Sequence, residues 1–190
     1  MPQNRCVRLF VAVDLPADEK ERLLDWLAGA HLDSSRLRLT PSEQWHLTLA
    51  FYGETPAAVV PELTERLERA AQRSPAMSLQ LTGTGSFPAD PARARVLWVG
   101  VDGDTAELSR LADRVNAAGR RAGLDLEQRK YRPHLTIARP RQGPIDLTPT
   151  LAALPPYVGE PWRATTIRLV RSHLGPPVRH ELLEEFGVDV

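Results

Sequence analysis

At 190 residues, 42% of them hydrophobic, the chain is long enough to bury the core of one compact domain spanning 1–190. Its 24 Lys and Arg are matched by 24 Asp and Glu, which excludes a global field drawing it to nucleic acid or an anionic membrane, so an anionic ligand has to be met by a local patch. The single Cys6 excludes an intramolecular disulfide, the apolar opening "VRLFVAVDL" falls far short of the roughly 20 residues of a membrane helix, and a soluble cytoplasmic protein is expected.

From Val7 to Asp14 the chain alternates, with Val7, Leu9, Val11 and Val13 on one face and Arg8, Phe10, Ala12 and Asp14 on the other. This reads as a half-buried strand that leaves Phe10 off the main apolar face. "PADEKERLLDWLAGA" reads as a helix, with acidic residues early and a glycine near its end. "LRLTPSEQ" is a short strand or loop broken by Pro41. "WHLTLAFYG" alternates again, and Pro56 to Ser74 carries helical periodicity through Val59, Leu63 and Leu67.

The second half repeats this outline. "MSLQLTGTGSF" and "ARVLWVGV" read as strands, Asp104 to Ala122 as a helix and "RPHLTIAR" as a strand, with "TTIRLVRSHL" and "RHELLEEFGV" closing the chain as one or two more. Pro and Gly gather at Gly83 to Pro91, Pro140 to Pro144 and Pro155 to Pro161, which read as loops. The interspersed strands and helices favour an α+β fold with antiparallel or mixed sheets.

The chain writes "HLTLAF" at 46–51 and "HLTIAR" at 134–139. On a strand, residues two apart share a face, so His46, Thr48 and Ala50 should lie opposite Leu47 and Leu49, and His134, Thr136 and Ala138 opposite Leu135 and Ile137. One copy alone would be an ordinary solvent-facing polar pair. Two copies, one in each of two similar halves, suggest two faces that meet across a cleft.

Paired imidazoles and hydroxyls suit phosphoryl chemistry. A neutral histidine can take the proton of an attacking oxygen while a protonated one supplies the leaving oxygen, and both forms exist near neutral pH. Threonine hydroxyls can donate to the non-bridging oxygens. A metal site is the rival, but there is no HxH, HExxH or CxxC, and no GxSxG supports a serine hydrolase. Cys6 is expected in the core. The densest basic stretch, "EQRKYRPHLTIARPR", places Arg129, Lys130, Arg132, Arg139 and Arg141 around His134 and reads as a patch for a phosphorylated substrate. A strand beginning before Pro133 would put Lys130 and Arg132 on the His134 side. Arg139 would fall on the core side unless the strand ended at Pro140.

The two HxTx motifs, with the opening "RLFVAVDLP", the mid-chain "RVLWVGV" and "YRPHLTIAR", resemble the 2H phosphoesterase superfamily and, within it, the RNA 2′,3′-cyclic phosphodiesterases also called 2′-5′ RNA ligases (the ThpR or LigT family). The resemblance covers most of the chain. It implies a bilobal fold with pseudo-twofold symmetry, two sheets facing a central cleft with helices outside, and no metal or other cofactor. It also implies His46 as proton donor, His134 as proton acceptor, Thr48 and Thr136 as phosphate-binding hydroxyls, and Phe10 and Arg139 at the ligand's border, Phe10 as part of a nucleoside wall. The segment around His180 departs from the family, whose members often carry an aromatic residue nearby. The expected reaction is hydrolysis of a nucleoside 2′,3′-cyclic phosphate at an RNA end to a 2′-phosphate, by a monomer whose partners are RNA termini or cyclic nucleotides. Two alternatives remain open: another 2H reaction, such as 2′-5′ ligation or opening of an ADP-ribose cyclic phosphate, and a module that binds RNA ends without turnover.

Overall fold

The computed structural model describes residues 6–189, so residues 1–5 and 190 of the expected domain lie outside the described residues. The strands are β1 (Cys6–Asp14), β2 (Leu37–Leu39), β3 (His46–Pro56), β4 (Met77–Phe87), β5 (Val96–Gly103), β6 (His134–Pro140), β7 (Trp162–Ala164), β8 (Thr166–His173) and β9 (Arg179–Gly187). The helices are α1 (Ala17–Gly29), α2 (Val60–Ala71), α3 (Thr105–Arg121) and the short α4 (Thr148–Ala153). The fold is α+β, as the interspersed periodicities led one to expect.

The strands form two sheets, one in the order β3-β1-β8-β9 and the other β2-β6-β5-β4-β7, and their pairings are antiparallel. The two HxT copies therefore stand on different sheets, His46 opening β3 and His134 opening β6. The sheets do not correspond to the two halves of the chain. β2 crosses over to pair with β6, and the C-terminal hairpin β8–β9 completes the sheet that β1 and β3 begin.

Alternation sends Leu9, Val11 and Val13 of β1, Leu47 and Leu49 of β3, and Leu135 and Ile137 of β6 into one continuous core, packed under Leu23 and Leu27 of α1, Leu63 and Leu67 of α2 and Leu108, Leu111 and Val115 of α3. Each such leucine contributes roughly 1.5–3 kcal/mol by leaving water. The polar faces of the site strands are thereby turned the other way, toward the space between the sheets.

Three departures from the sequence reading have physical causes. The Gly-rich stretch that opens the expected loop at Gly83 is strand as far as Phe87, because Gly83 adopts φ +64° as the extra residue of a bulge and lets β4 continue beyond it. β7 and α4 were not anticipated; each is too short to show a period. β6 begins at His134 itself, so Lys130 and Arg132 lie in an irregular segment and not on the strand.

Candidate active site

The face rule holds for the first three residues of each motif and then breaks. Ala12 of β1 pairs with Thr48 and Val11 with Ala50, so Leu49 is an extra, bulged residue; likewise Trp98 of β5 pairs with Thr136 and Leu97 with Ala138, so Ile137 is bulged. A bulge shifts the side-chain alternation by one. Ala50 and Ala138, expected beside the histidines, are instead buried in the core, while Phe51 and Arg139 turn outward. Both bulged carbonyls have partners from elsewhere: Asn116 Nδ2 of α3 donates to Leu49 O at 3.2 Å, and the Thr40 backbone N–H to Ile137 O at 2.9 Å.

A backbone carbonyl two residues upstream acts on each imidazole. His134 Nδ1 lies 2.8 Å from the Arg132 carbonyl, which can only accept, so Nδ1 carries the proton and Nε2 is left for the cleft. For His46 the Gln44 carbonyl, also two residues upstream, favours the charged form of the ring. Their surroundings differ. Phe10 stacks on His46 with centroids 4.7 Å apart, and His180 meets it edge-on at 5.5 Å. Phe87 meets His134 edge-on at 4.7 Å.

Burial pushes His46 down to about 4; the neighbouring His180 reinforces the shift, as Lys20 does less strongly, while the Gln44 carbonyl and Asp14 oppose it. Burial also pushes His134 below its ordinary value, against the Arg132 carbonyl and with the help of Arg139. His180 is likewise depressed by burial.

His46, Thr48, His134 and Thr136 line one cavity of about 650 Å³, together with Arg38, Arg139 and His180. Arg38 and Arg139 are directly paired across β2 and β6. Burial and the like charge of Arg38 push the Arg139 guanidinium down, and an anion between the two would relieve that repulsion. A second chamber of about 1170 Å³ shares Thr48 and His134 with the first and is lined by Phe51, Arg120, Lys130 and Arg132. Lys130 and Arg132 thus lie next to the paired histidines but not in the cavity that holds both.

Among the other sequence candidates, Phe10 is 4% exposed. It floors the His46 ring and is not among the residues lining either chamber. Exposed Arg129 pairs with Glu127, and Arg141 donates to the Ser34 carbonyl. Cys6 is exposed, not in the core. Among the described residues no three His, Cys, Asp or Glu gather into a set able to hold a metal.

Sequence reasoning missed Arg38, Phe87 and Asn116. Arg38 reaches the site through a strand of three residues whose partner lies about a hundred positions later, and no local signal marks that pairing. For His180 only a departure from the family was visible; the fold brings it to the edge of Phe10, 5.0 Å between centroids.

Comparison with known proteins agrees with this fold. The chain is 29% identical over 177 residues to an RNA 2′,3′-cyclic phosphodiesterase of Geobacillus stearothermophilus, covering 93% of this chain and 56% of that protein. It is 32% identical over 142 residues to one of Escherichia coli, covering 75% and 77%. The matched part thus spans little more than half of the Geobacillus relative, and 57% of another from Aeropyrum pernix. Among solved structures, E. coli LigT in its apo form superposes with a TM-score of 0.80 at 27% identity, covering 98% of this chain and 99% of that one. A structure of the same protein complexed with 3′-AMP superposes equally well, at 0.80 and 27%. The family model described as the 2′-5′ RNA ligase superfamily matches residues 16–176, a span that includes both HxT strands, both bulges and the arginine pair between them: the chain belongs to the 2′-5′ RNA ligase superfamily of 2H phosphoesterases.

Proposed function

We propose that this protein hydrolyses the 2′,3′-cyclic phosphate of an RNA end or nucleoside to a 2′-phosphate, without a metal ion. Relatives named for this activity support the reading. The observation that carries it is the pair of imidazoles lining one cavity with the two threonines, His134 being held at Nδ1 by the Arg132 carbonyl so that its Nε2 is left for the cleft. Pure binding would be served by the arginines alone.

In the proposed reaction the cyclic phosphate lies between Thr48, Thr136, Arg139 and Arg38. His134 Nε2 takes a proton from water as the water oxygen bonds to phosphorus. The bond from phosphorus to the 3′ oxygen breaks, and His46 protonates that oxygen. Hydroxyls and guanidinium groups stabilise the charge growing on the non-bridging oxygens. His46 is the more strongly depressed imidazole in the free protein, so its proton has to be drawn in by the anionic phosphodiester, which favours the charged form. The donor role of His46 rests on the family resemblance, the free site by itself favouring its neutral form.

The two sheets are taken to work as one domain and the protein as a monomer, since the residues of one chain line the site. The test is incubation of purified protein with the four nucleoside 2′,3′-cyclic phosphates in excess chelator, with the product phosphate located by ³¹P NMR. The 2′-phosphate is expected. A 3′-phosphate product, or activity that chelator abolishes and zinc or manganese restores, would overturn the proposal.

A further inference from the structure

Between α2 and α3 lies a third cavity, of about 470 Å³, lined by Arg66, Arg69 and Arg73 from α2 and its end and by Arg114 and Arg121 from α3. The spacings explain the gathering. Positions 66 and 69 lie three apart on α2 and Arg73 just past its end, while 114 and 121, two turns apart, form a stripe on α3. The two sets face one another over a floor of Ala70, Ala117 and Ala118, small enough to let an extended backbone lie close.

Charge in this groove is unbalanced. Arg66 is held by Glu62 at 2.7 Å and Arg69 by Glu65 at 3.8 Å. Among the described residues Arg73, Arg114 and Arg121 have no carboxylate within ion-pair distance, and Asp113 is the one acidic residue lining the groove. Arg114 donates to the Ser74 hydroxyl at 3.0 Å, which holds it in place without neutralising it. Cations at helix C-termini offset the helix dipole, but that would be satisfied by one per helix.

The groove adjoins the larger chamber of the candidate site at Asp113. Asp113 lines both it and the larger chamber, and along the same turns of α3 Asn116 and Arg120 line the chamber while Ala117 and Arg121 line the groove. Arg120, Lys130 and Arg132 line the larger chamber beside His134, and Arg73, Arg114 and Arg121 line the groove, so a ligand reaching from one to the other finds cations in both. In a chain of zero formal net charge, such a set of cations is a local device.

We propose that the α2–α3 arginine groove binds the phosphodiester backbone of a single-stranded RNA whose end occupies the cleft, making it a second, sequence-independent substrate contact. This rests on the reading of the cleft as an RNA-end site. A strand crossing α3 displaces counterions at the groove, so its affinity depends on salt by roughly 0.7 per phosphate contact, whereas a cyclic mononucleotide never reaches the groove.

The experiment uses Arg73→Glu/Arg121→Glu, two residues that line neither of the two chambers. Binding is read by fluorescence anisotropy with a labelled oligoribonucleotide of about a dozen nucleotides ending in an ordinary 3′-hydroxyl, so that no turnover is needed. The variant should bind at least about ten-fold more weakly at low salt, with a salt slope flatter by a little over one. Its kcat/KM for a cyclic mononucleotide should match that of the parent. Equal RNA affinity and slope in variant and parent would overturn the proposal. So would unchanged RNA affinity with lost binding to phosphatidylserine vesicles, which would assign the groove to a lipid surface. Arg69→Gln/Arg73→Gln, confined to exposed side chains, decides the question should the charge reversal disturb folding. A parent that binds RNA through the groove but hydrolyses no cyclic phosphate would refute the cleft reading and leave the groove standing as an RNA site.

Discussion

The Phe10 ring lies nearly flat on His46, centroids 4.7 Å apart and planes 25° from parallel. β1 and β3 are paired, and Phe10, Ala12 and Val170 make a small apolar cluster apart from the main core, on the opposite face of β1. That cluster shields one side of the His46 ring from water, and burial is the main reason the ring resists protonation. Phe10→Leu should admit water and raise the His46 pKa from about 4 toward its ordinary value. NMR titration of the ring proton measures this directly, and an unshifted titration would show that the stacking does not tune the histidine.

The pH profile of the enzyme follows from the same depressions. Both imidazoles are lowered in the free protein, so the bell of kcat/KM, which reports the free enzyme, should be centred below about 6.5. A bound phosphodiester is an anion and favours the charged form of both rings, so the bell of kcat should be centred at higher pH. Coincident bells, or a rate rising steadily with pH, would contradict an acid and a base acting together.

Replacing His46 or His134 by Ala should each cost at least the roughly 10²- to 10⁴-fold typical of general acid–base catalysis. The double variant should be scarcely worse, because the pair acts as a unit. A substrate with a good aryloxy leaving group needs little protonation and should rescue His46→Ala far more than His134→Ala. Reversed rescue would exchange the two roles.

Arg38→Gln and Arg139→Gln should each lower kcat/KM by a factor corresponding to about 1.5–3 kcal/mol, the worth of a charge-assisted contact. Neither should lower the melting temperature, since each removes one member of a repelling pair. By contrast, Lys130→Ala and Arg132→Ala should leave cyclic mononucleotide turnover intact and raise KM for an oligonucleotide, because they line only the larger chamber. The Arg132 carbonyl that orients His134 survives the substitution.

Asn116→Leu should leave the bulged Leu49 carbonyl without the Asn116 amide that it accepts from. The expected loss of stability is about 1–3 kcal/mol. With the bulge loosened, Thr48 beside it should lose its fixed position, so kcat should fall more than KM rises. Parallel melting and kinetic measurements check this; a stability loss with unchanged kcat would make Asn116 purely structural.

Much of the site was legible in the chain because its signals are local. A strand's period of two assigns His46 and Thr48 to one face and Leu47 to the other whatever the strand pairs with, and the same rule covers His134, Thr136 and Leu135. The repetition of that pattern, with its chemistry, pointed to paired phosphoryl-transfer groups, and α1, α2 and α3 followed from their own apolar spacing. What the chain alone did not show depends on partners distant in sequence. Whether Leu49 and Ile137 are bulged is decided by β1 and β5 and by the donors Asn116 and Thr40 that take up the bulged carbonyls, and that decision turns Ala50 and Ala138 inward and Arg139 outward. Arg38 meets Arg139 only because β2 crosses to the other sheet, and His180 reaches His46 only because the C-terminal hairpin returns to β1. Side-chain direction along a strand is a property of the local backbone. Register, bulges and the meeting of two sheets are set by contacts the local backbone cannot encode, and only the tertiary structure decided them.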